Sequence, residues 1–69
     1  MNFQQGVAYK IDPEIEDCED RYYLSRFNKG QQQGEGLYFH RMVHDGEEAM
    51  GLSYFTPVEL EEGVLVEAE

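Results

Sequence analysis

The stretch GLSYFTPVELEEGVLV, residues 51–66, contains the features that decide the fold. Its aromatic strand end runs into Thr56, a good helix N-cap, and then into Pro57, which suits the first position of a helix. Gly63 then opens an apolar strand, VLVEA, at residues 64–68. The stretch therefore predicts a strand, one short helical turn and a closing strand.

Gly, Pro and Asn divide the rest of the chain into further short units. Val7, Tyr9 and Ile11 alternate on one face, as is typical of a half-buried strand. The acidic segment DPEIEDCED at 12–20 predicts a loop, and the Asp-Gly step at 45–46 is a strong hairpin signal. The strands predicted before the turn are GVAYKI at 6–11, RYYLSRF at 21–27, LYFHRMV at 37–43 and EAMGLSYF at 48–55.

This order of elements resembles that of the SH3-like small β-barrels over about residues 6–68. The piece that carries the resemblance is residues 51–66, with Leu60 pointing inward from the turn. It implies a mainly β fold, a small five-stranded SH3-like barrel with one short 3₁₀ turn near the C-terminus, in a single domain of residues 1–69. The chain has no Trp, and its first strand lacks the ALYDY-like segment of peptide-binding SH3 domains, so proline-rich peptide binding is not implied.

An α+β alternative places a helix at about residues 13–27 on a small antiparallel sheet. Asp12 is a good N-cap and Pro13 fits the first helical position. Ile15, Cys18 and Tyr22 would then share one face. Against this helix, the aromatic residues of the segment prefer strands, and only one apolar residue per turn would face the core.

Length and charge exclude several classes of protein. The chain has 69 residues and a net charge of −10, from 15 Asp plus Glu against 5 Lys plus Arg. This length allows one small core and excludes multidomain enzymes. Hydrophobic residues make up 41% of the chain, which favours a folded domain over a disordered one. The acidity disfavours direct binding to nucleic acid, because that affinity comes from Lys and Arg.

The sequence predicts no membrane span, no signal peptide and no internal disulfide. No apolar run approaches the roughly 18 to 20 residues of a membrane span, and the N-terminal residues lack the apolar run of a signal peptide. We therefore expect a cytoplasmic protein with no membrane partner. The one cysteine, Cys18, cannot form an internal disulfide.

Patterns for catalysis and metal binding are weak. Ser25 and Ser53 lie inside predicted strands without a nucleophile motif, and dense carboxylates are usually a solvated face. The acids at 12–16 match a calcium loop poorly, and His40 and His44 have a zinc spacing without further ligands. We therefore expect no enzyme activity, no catalytic residue, no metal site and no cofactor.

The charge is unevenly distributed along the chain. Every Lys and Arg lies within residues 1–41, whereas residues 42–69 contain acids and no basic residue. Carboxylates on a rigid β scaffold imitate the phosphates of a duplex, and their field speeds association with a basic protein surface. The acids that we predict to contact a partner, on the hairpin and on the turn, are Asp45, Glu47, Glu48, Glu59, Glu61 and Glu62.

Three aromatic doublets, at 22–23, 38–39 and 54–55, are the second candidate for a binding surface. Neighbouring strand residues point to opposite faces, so each doublet should place one ring in the core and one outside. Exposed Tyr and Phe rings are common anchors of protein interfaces. The outer rings that we predict to contact a partner are Tyr23, Tyr38 and Tyr54.

In size, acidity and lack of a reactive centre the chain is similar to small phage-encoded inhibitors of host nucleic-acid machinery, including DNA mimics and anti-CRISPR proteins. The resemblance implies a non-catalytic binding protein that occupies a basic nucleic-acid-binding surface of a host enzyme. Two alternatives stay open: an accessory SH3-like module that docks through exposed aromatics, and a soluble domain of unknown function whose acidity only keeps it dispersed. The sequence leaves the partner and the oligomeric state open.

Overall fold

The computed structural model describes residues 3–28, 35–43 and 49–68, with the backbone alone at positions 49 and 50. The elements in these ranges are β1 (Tyr9–Ile11), β2 (Arg21–Leu24), β3 (Leu37–Met42), β4 (Ala49–Phe55), α1 (Pro57–Glu61) and β5 (Leu65–Glu67). Every predicted strand is present, and each is shorter than predicted. The hairpin step at 45–46 lies outside the described residues.

The strands form one antiparallel sheet in the order β4-β3-β2-β1-β5. The predicted mainly β class is thereby confirmed. The closed barrel that the SH3-like resemblance implied is not observed, because β4 and β5 remain unpaired with each other in the ranges that the structure describes. All three residues of β5 pair with β1, and β5 and β4 form the two opposite edges of the sheet, so the sheet is open between them in the described ranges.

The predicted turn at Thr56–Pro57 is present, but it is α-helical where a 3₁₀ turn was predicted. The backbone N–H of Leu60 donates to the carbonyl of Thr56 at 3.1 Å, which is the four-residue spacing of an α-helix. A capping box stabilises its start: the Thr56 hydroxyl accepts from the N–H of Glu59, and the Glu59 carboxylate accepts from the N–H of Thr56 at 2.9 Å. Leu60 points into the core as predicted.

The alternative helix at 13–27 is wrong. Residues 13–15 form only a turn, in which the N–H of Ile15 donates to the carbonyl of Asp12 at 2.8 Å, and residues 21–24 are strand β2. Ile15, which that helix would have buried, is 57% exposed. Tyr22 instead packs its ring edge-on against Phe55 of β4, so burial of this aromatic side chain selects the strand.

The core is a cluster of aromatic rings around Phe39, whose side chain is fully buried. The ring of Phe39 meets those of Phe3, Tyr9 and Phe55 at centroid distances of 5.3, 6.2 and 5.4 Å, each edge to face. Edge-to-face contacts of this kind stabilise a core beyond the area that they bury. The buried core residues are Tyr9, Tyr22, Phe39, Phe55, Leu60 and Leu65.

We expect Phe39→Ala to lower the free energy of unfolding by about 3 to 5 kcal/mol, because it leaves a cavity at the centre of this cluster. Urea unfolding followed by circular dichroism measures the change. Phe27→Ala is the control, since Phe27 is 75% exposed and its truncation should change stability by about 0.5 kcal/mol or less. Equal losses in the two variants would contradict the central position of Phe39.

Candidate functional site

The alternation predicted for the aromatic doublets is observed. Tyr22, Phe39 and Phe55 are the buried members. Of their neighbours, Tyr38 is 43% exposed and Tyr54 is 50% exposed, whereas Tyr23 is half-buried. The predicted outer rings are therefore the outward ones, and Tyr38 and Tyr54 are the more accessible.

The outward side chains of β2, β3 and β4 lie side by side. Tyr38 and Tyr54 are directly opposite each other, with ring centroids 4.9 Å apart. Further along the same strands His40 is opposite both Leu52 and Tyr23. The Phe27 ring lies 6.4 Å from that of His40. We call this surface the outer aromatic face; it consists of Tyr23, Phe27, Tyr38, His40, Leu52 and Tyr54.

Asn28 fixes the backbone of Tyr38. Its side-chain amide donates to the Tyr38 carbonyl at 2.8 Å, and its side-chain oxygen accepts from the Tyr38 N–H at 2.8 Å. The same amide donates to the carbonyl of Ser25, which is fully buried. The Ser25 hydroxyl accepts from the N–H of Phe27 and forms a tight turn. One side chain thus joins the end of β2 to the start of β3.

Gly36 allows the Tyr54 ring to lie against the start of β3. A Cβ atom at position 36 would collide with the backbone carbonyl of Phe55 and with the ring and hydroxyl of Tyr54. Only the absence of a side chain permits this approach. The orientation of Tyr54 therefore depends on a glycine as well as on its tilted ring contact with Tyr38.

Two acidic blocks, the segment at 12–20 and the pair Glu61 and Glu62 at the end of α1, meet at one end of the sheet. The N–H of Asp12 donates to the carbonyl of Val64 at 2.8 Å, and Ile11 pairs with Leu65. The loop that follows β1 therefore lies against the turn that joins α1 to β5. We call this surface the acidic end; its exposed acids are Glu14, Glu16, Asp17, Glu19, Glu61 and Glu62.

The acids of this end differ in how their carboxylates are engaged. Asp20 accepts from Nε of Arg41 at 2.6 Å, the one ion pair in the described ranges. Asp12 accepts from the N–H of Glu14 at 3.0 Å and rigidifies the start of the loop. Within the described residues, no three His, Cys, Asp or Glu side chains converge to hold a metal ion. The exposed carboxylates are thus spread over a surface.

The predicted acidic contacts therefore divide into three groups. Glu61 and Glu62 are exposed at the acidic end. Glu59 is engaged in the capping box of α1, so its carboxylate has a structural role in stabilising the helix start. The remaining three, Asp45, Glu47 and Glu48, lie outside the described residues.

Arg41 links the acidic end to the core. Its guanidinium lies 6.0 Å from the centroid of the Tyr22 ring while it pairs with Asp20. Burial raises the pKa of the Tyr22 phenol, and the nearby Arg41 charge acts in the opposite direction. The hydrogen bond with Asp20 raises the pKa of Arg41. The guanidinium therefore stays charged and pairs with the carboxylate of Asp20, whose side chain is only 18% exposed.

Four of these positions, Asp20, Phe27, Asn28 and Arg41, were missed by the sequence analysis. The pairing of Asp20 with Arg41 joins residues 21 apart in sequence, and no local pattern signals it. Phe27 was assigned to a strand but lies in a turn. For Asn28 a signal existed, because Asn after a Ser-containing segment favours side-chain bonding to the backbone.

None of the described helices is long and apolar enough to cross a membrane.

We expect Asn28→Ala to lower the free energy of unfolding by about 1 to 3 kcal/mol, because it removes the hydrogen bonds of this side chain to the Tyr38 backbone and to the Ser25 carbonyl, each of which contributes about 1 kcal/mol. Urea unfolding measures the loss. Asn28→Asp is the informative comparison: it keeps the acceptor for Tyr38 but removes the donor to the two carbonyls. If neither variant were less stable than the native chain, the Asn28 side chain would not stabilise the fold.

Comparison with known proteins finds no matching protein-family model, no matching curated protein and no matching solved structure.

Proposed function

We propose that the protein is a small, non-catalytic binding protein whose acidic end docks on a basic surface of a partner protein. The observation that carries the proposal is the hydrogen bond of Asp12 to Val64, which brings the two acidic blocks together. Segments separated by some forty positions in the chain thereby present one anionic surface. An enzyme or factor that handles nucleic acid offers a basic surface of the required kind.

The acidic end has the physical properties of an electrostatic docking surface. Its exposed carboxylates form no ion pair among the described residues, and the nearby Arg21 guanidinium, which donates to the carbonyl of Glu19 at 2.6 Å, offsets only part of their field. They stand on a loop tied to β5 and on a capped helix, so little conformational entropy is lost when a partner binds. A concentrated negative field speeds encounter with a positive surface.

The same proposal also concerns the fold class, the mode of action and the cellular location. The meander β1 to β4, with β5 returning beside β1 after a helical turn, supports assignment to the SH3-like class, in an opened form. In this proposal the protein is an inhibitor whose carboxylates imitate the phosphates of a duplex, as in the DNA mimics and anti-CRISPR proteins of phages. Its site of action is the cytoplasm, where such enzymes work.

The test begins with capture of the partner from a lysate of the native host, washed at two salt concentrations. We expect the captured partner to be released by moderate salt and to be displaced by duplex DNA, since DNA competes for the same basic surface. With the purified partner, Glu61→Gln/Glu62→Gln should lower the association rate about threefold or more, because steering depends on these charges.

Glu35→Gln/Glu67→Gln is the matched control. It changes the net charge by the same amount, but Glu67 pairs with Tyr9 at the opposite end of the sheet and Glu35 precedes β3 at that same opposite end. Its association rate should stay near that of the native chain. Equal slowing in both variants, or a complex that salt does not weaken, would show that the acidic end is not the docking surface.

A second candidate function, an accessory interaction module, is favoured by the outer aromatic face. Tyr38, Leu52 and Tyr54 expose 43%, 48% and 50% of their surfaces on adjacent strands. Adjoining exposed rings on a rigid sheet provide the apolar centre of a protein interface, and the surrounding charges form its rim. In this case the partner is held by burial of apolar area.

For this second function we expect Tyr38→Ala to raise the dissociation rate of the partner about tenfold or more, with little dependence on salt. Surface plasmon resonance at two salt concentrations measures both quantities. Val58→Ala is the control, since Val58 is 60% exposed on α1 and is not one of the residues of the outer aromatic face. An unchanged dissociation rate for Tyr38→Ala would exclude docking through this face.

A further inference from the structure

The ring of Tyr54 lies against the sheet at the end of β4. Its hydroxyl and the adjoining ring carbon occupy the space that a Cβ atom at position 36 would fill, so the ring rests on the bare backbone of Gly36. Gly36 is buried, whereas Tyr54 is 50% exposed. The ring is therefore held down on the protein on one side and is open to solvent on the other.

Tyr38 extends this flat surface onto the neighbouring strand. It lies directly opposite Tyr54, with ring centroids 4.9 Å apart and an interplanar angle of 53°, and it is 43% exposed. The side-chain amide of Asn28 fixes both the N–H and the carbonyl of Tyr38. Rings that are already ordered lose little conformational entropy when a ligand binds. We call Tyr38 and Tyr54 the tyrosine pair.

An exposed tyrosine ring accepts flat groups on its face. Nucleic-acid bases stack on such rings, and so does the planar guanidinium of arginine. The face of an aromatic ring is the negative side of its quadrupole, and it therefore attracts a cation. The geometry of the tyrosine pair fits both kinds of group, so the surrounding charge decides between them.

The charge around the tyrosine pair favours a flat cation. The chain has a net charge of −10, which repels the phosphates of a nucleic acid and attracts positive groups. The exposed charges on the two segments that hold the pair, Arg26 and Glu35, are opposite in sign. Glu59 accepts from the N–H of Thr56, two residues after Tyr54, and adds a negative charge at this end of β4.

The chain already contains one contact of the kind that this charge favours. The guanidinium of Arg41 lies 6.0 Å from the centroid of the Tyr22 ring, within the range of a cation–π interaction. Among the described residues no cation lies in the same way over the tyrosine pair. Lys10 and Arg21 belong to the opposite end of the sheet, near the acidic end. The exposed rings of the pair are thus free to receive a cation from a partner.

We infer that the tyrosine pair is an arginine-binding site, on which a guanidinium of the partner's basic surface stacks. A guanidinium is planar and is less strongly hydrated than the ammonium of lysine, so it stacks on aromatic rings more readily. The site rests on the proposed function, because the basic partner supplies the arginine. It extends the contact with that partner from the acidic end to the opposite end of the sheet.

The test compares two blocked peptides of equal length and charge, a Gly-Arg repeat and a Gly-Lys repeat. Isothermal titration calorimetry with the native chain measures both dissociation constants. We expect the Gly-Arg peptide to bind about threefold or more tightly, because only the guanidinium stacks well on the rings. The long-range attraction is the same for both peptides, so the ratio of the two constants isolates the ring contact. The ring-proton NMR signals of Tyr38 and Tyr54 should shift with the Gly-Arg peptide.

Tyr54→Leu should remove the preference for arginine, because it deletes the ring and keeps an apolar side chain. Tyr54→Phe should retain the preference, since the ring remains. Phe27→Leu is the matched control: it removes another exposed ring, which lies beside His40 and outside the tyrosine pair, and it should also retain the preference. Circular dichroism and thermal unfolding separate loss of the site from loss of folding in each variant.

A native chain that binds both peptides equally overturns the arginine site, and so does a preference that Tyr54→Leu leaves unchanged. Tighter binding of a single-stranded oligonucleotide than of the Gly-Arg peptide also overturns it, because the rings then receive bases.

The proposed function fails separately. Glu61→Gln/Glu62→Gln should weaken both peptides alike and leave their ratio unchanged, because these acids act through charge alone. If this double variant weakens neither peptide, the acidic end is not a docking surface, whereas the ratio still reports on the tyrosine pair.

Discussion

The fully buried ring of Phe39 is the contact on which the rest of the structure depends. It meets Phe3, Tyr9 and Phe55, which come from the N-terminal segment, from β1 and from β4. Because one ring joins three parts of the chain, its position fixes the face of the sheet that is inside. Tyr38 must then point outward, and with it Tyr54. The interior packing thus determines the binding surfaces as well as the fold.

The sequence predicted those parts of the fold that depend on local chemistry. The capped turn at Thr56 and Pro57 follows from two residues with strong positional preferences, and the in-and-out order of the aromatic doublets follows from the strand period. Sheet closure depends on whether β5 also pairs with β4, a contact between distant edges that no local pattern encodes. The meeting of the two acidic blocks arises from the Asp12 contact with Val64, which likewise depends on tertiary structure.

The surface has two regions of different character. The acidic end concentrates charge on a loop and a helix end. The outer aromatic face presents exposed rings and Leu52 on β2, β3 and β4, and β4 itself contains no charged residue. A small domain with a single core has few surfaces to use, and this one separates long-range electrostatic attraction from short-range apolar contact. The sequence predicts Glu59 as a contact to a partner, whereas in the structure its carboxylate accepts a hydrogen bond in the capping box of α1.

The aromatic doublets also make the strand register ambiguous in a way that hydrophobicity alone cannot resolve. If β3 slipped by one residue against its neighbours, Tyr38 would take the inner place of Phe39, and an aromatic ring would still fill the core. The contacts that penalise such a slip are polar or steric: the Asn28 amide on the Tyr38 backbone, the Arg41 pair with Asp20, and the bare backbone of Gly36 under Tyr54. In this chain, burial of apolar side chains drives the collapse of the core. A few hydrogen bonds and the missing side chain of Gly36 then determine which of several similar strand registers is the most stable.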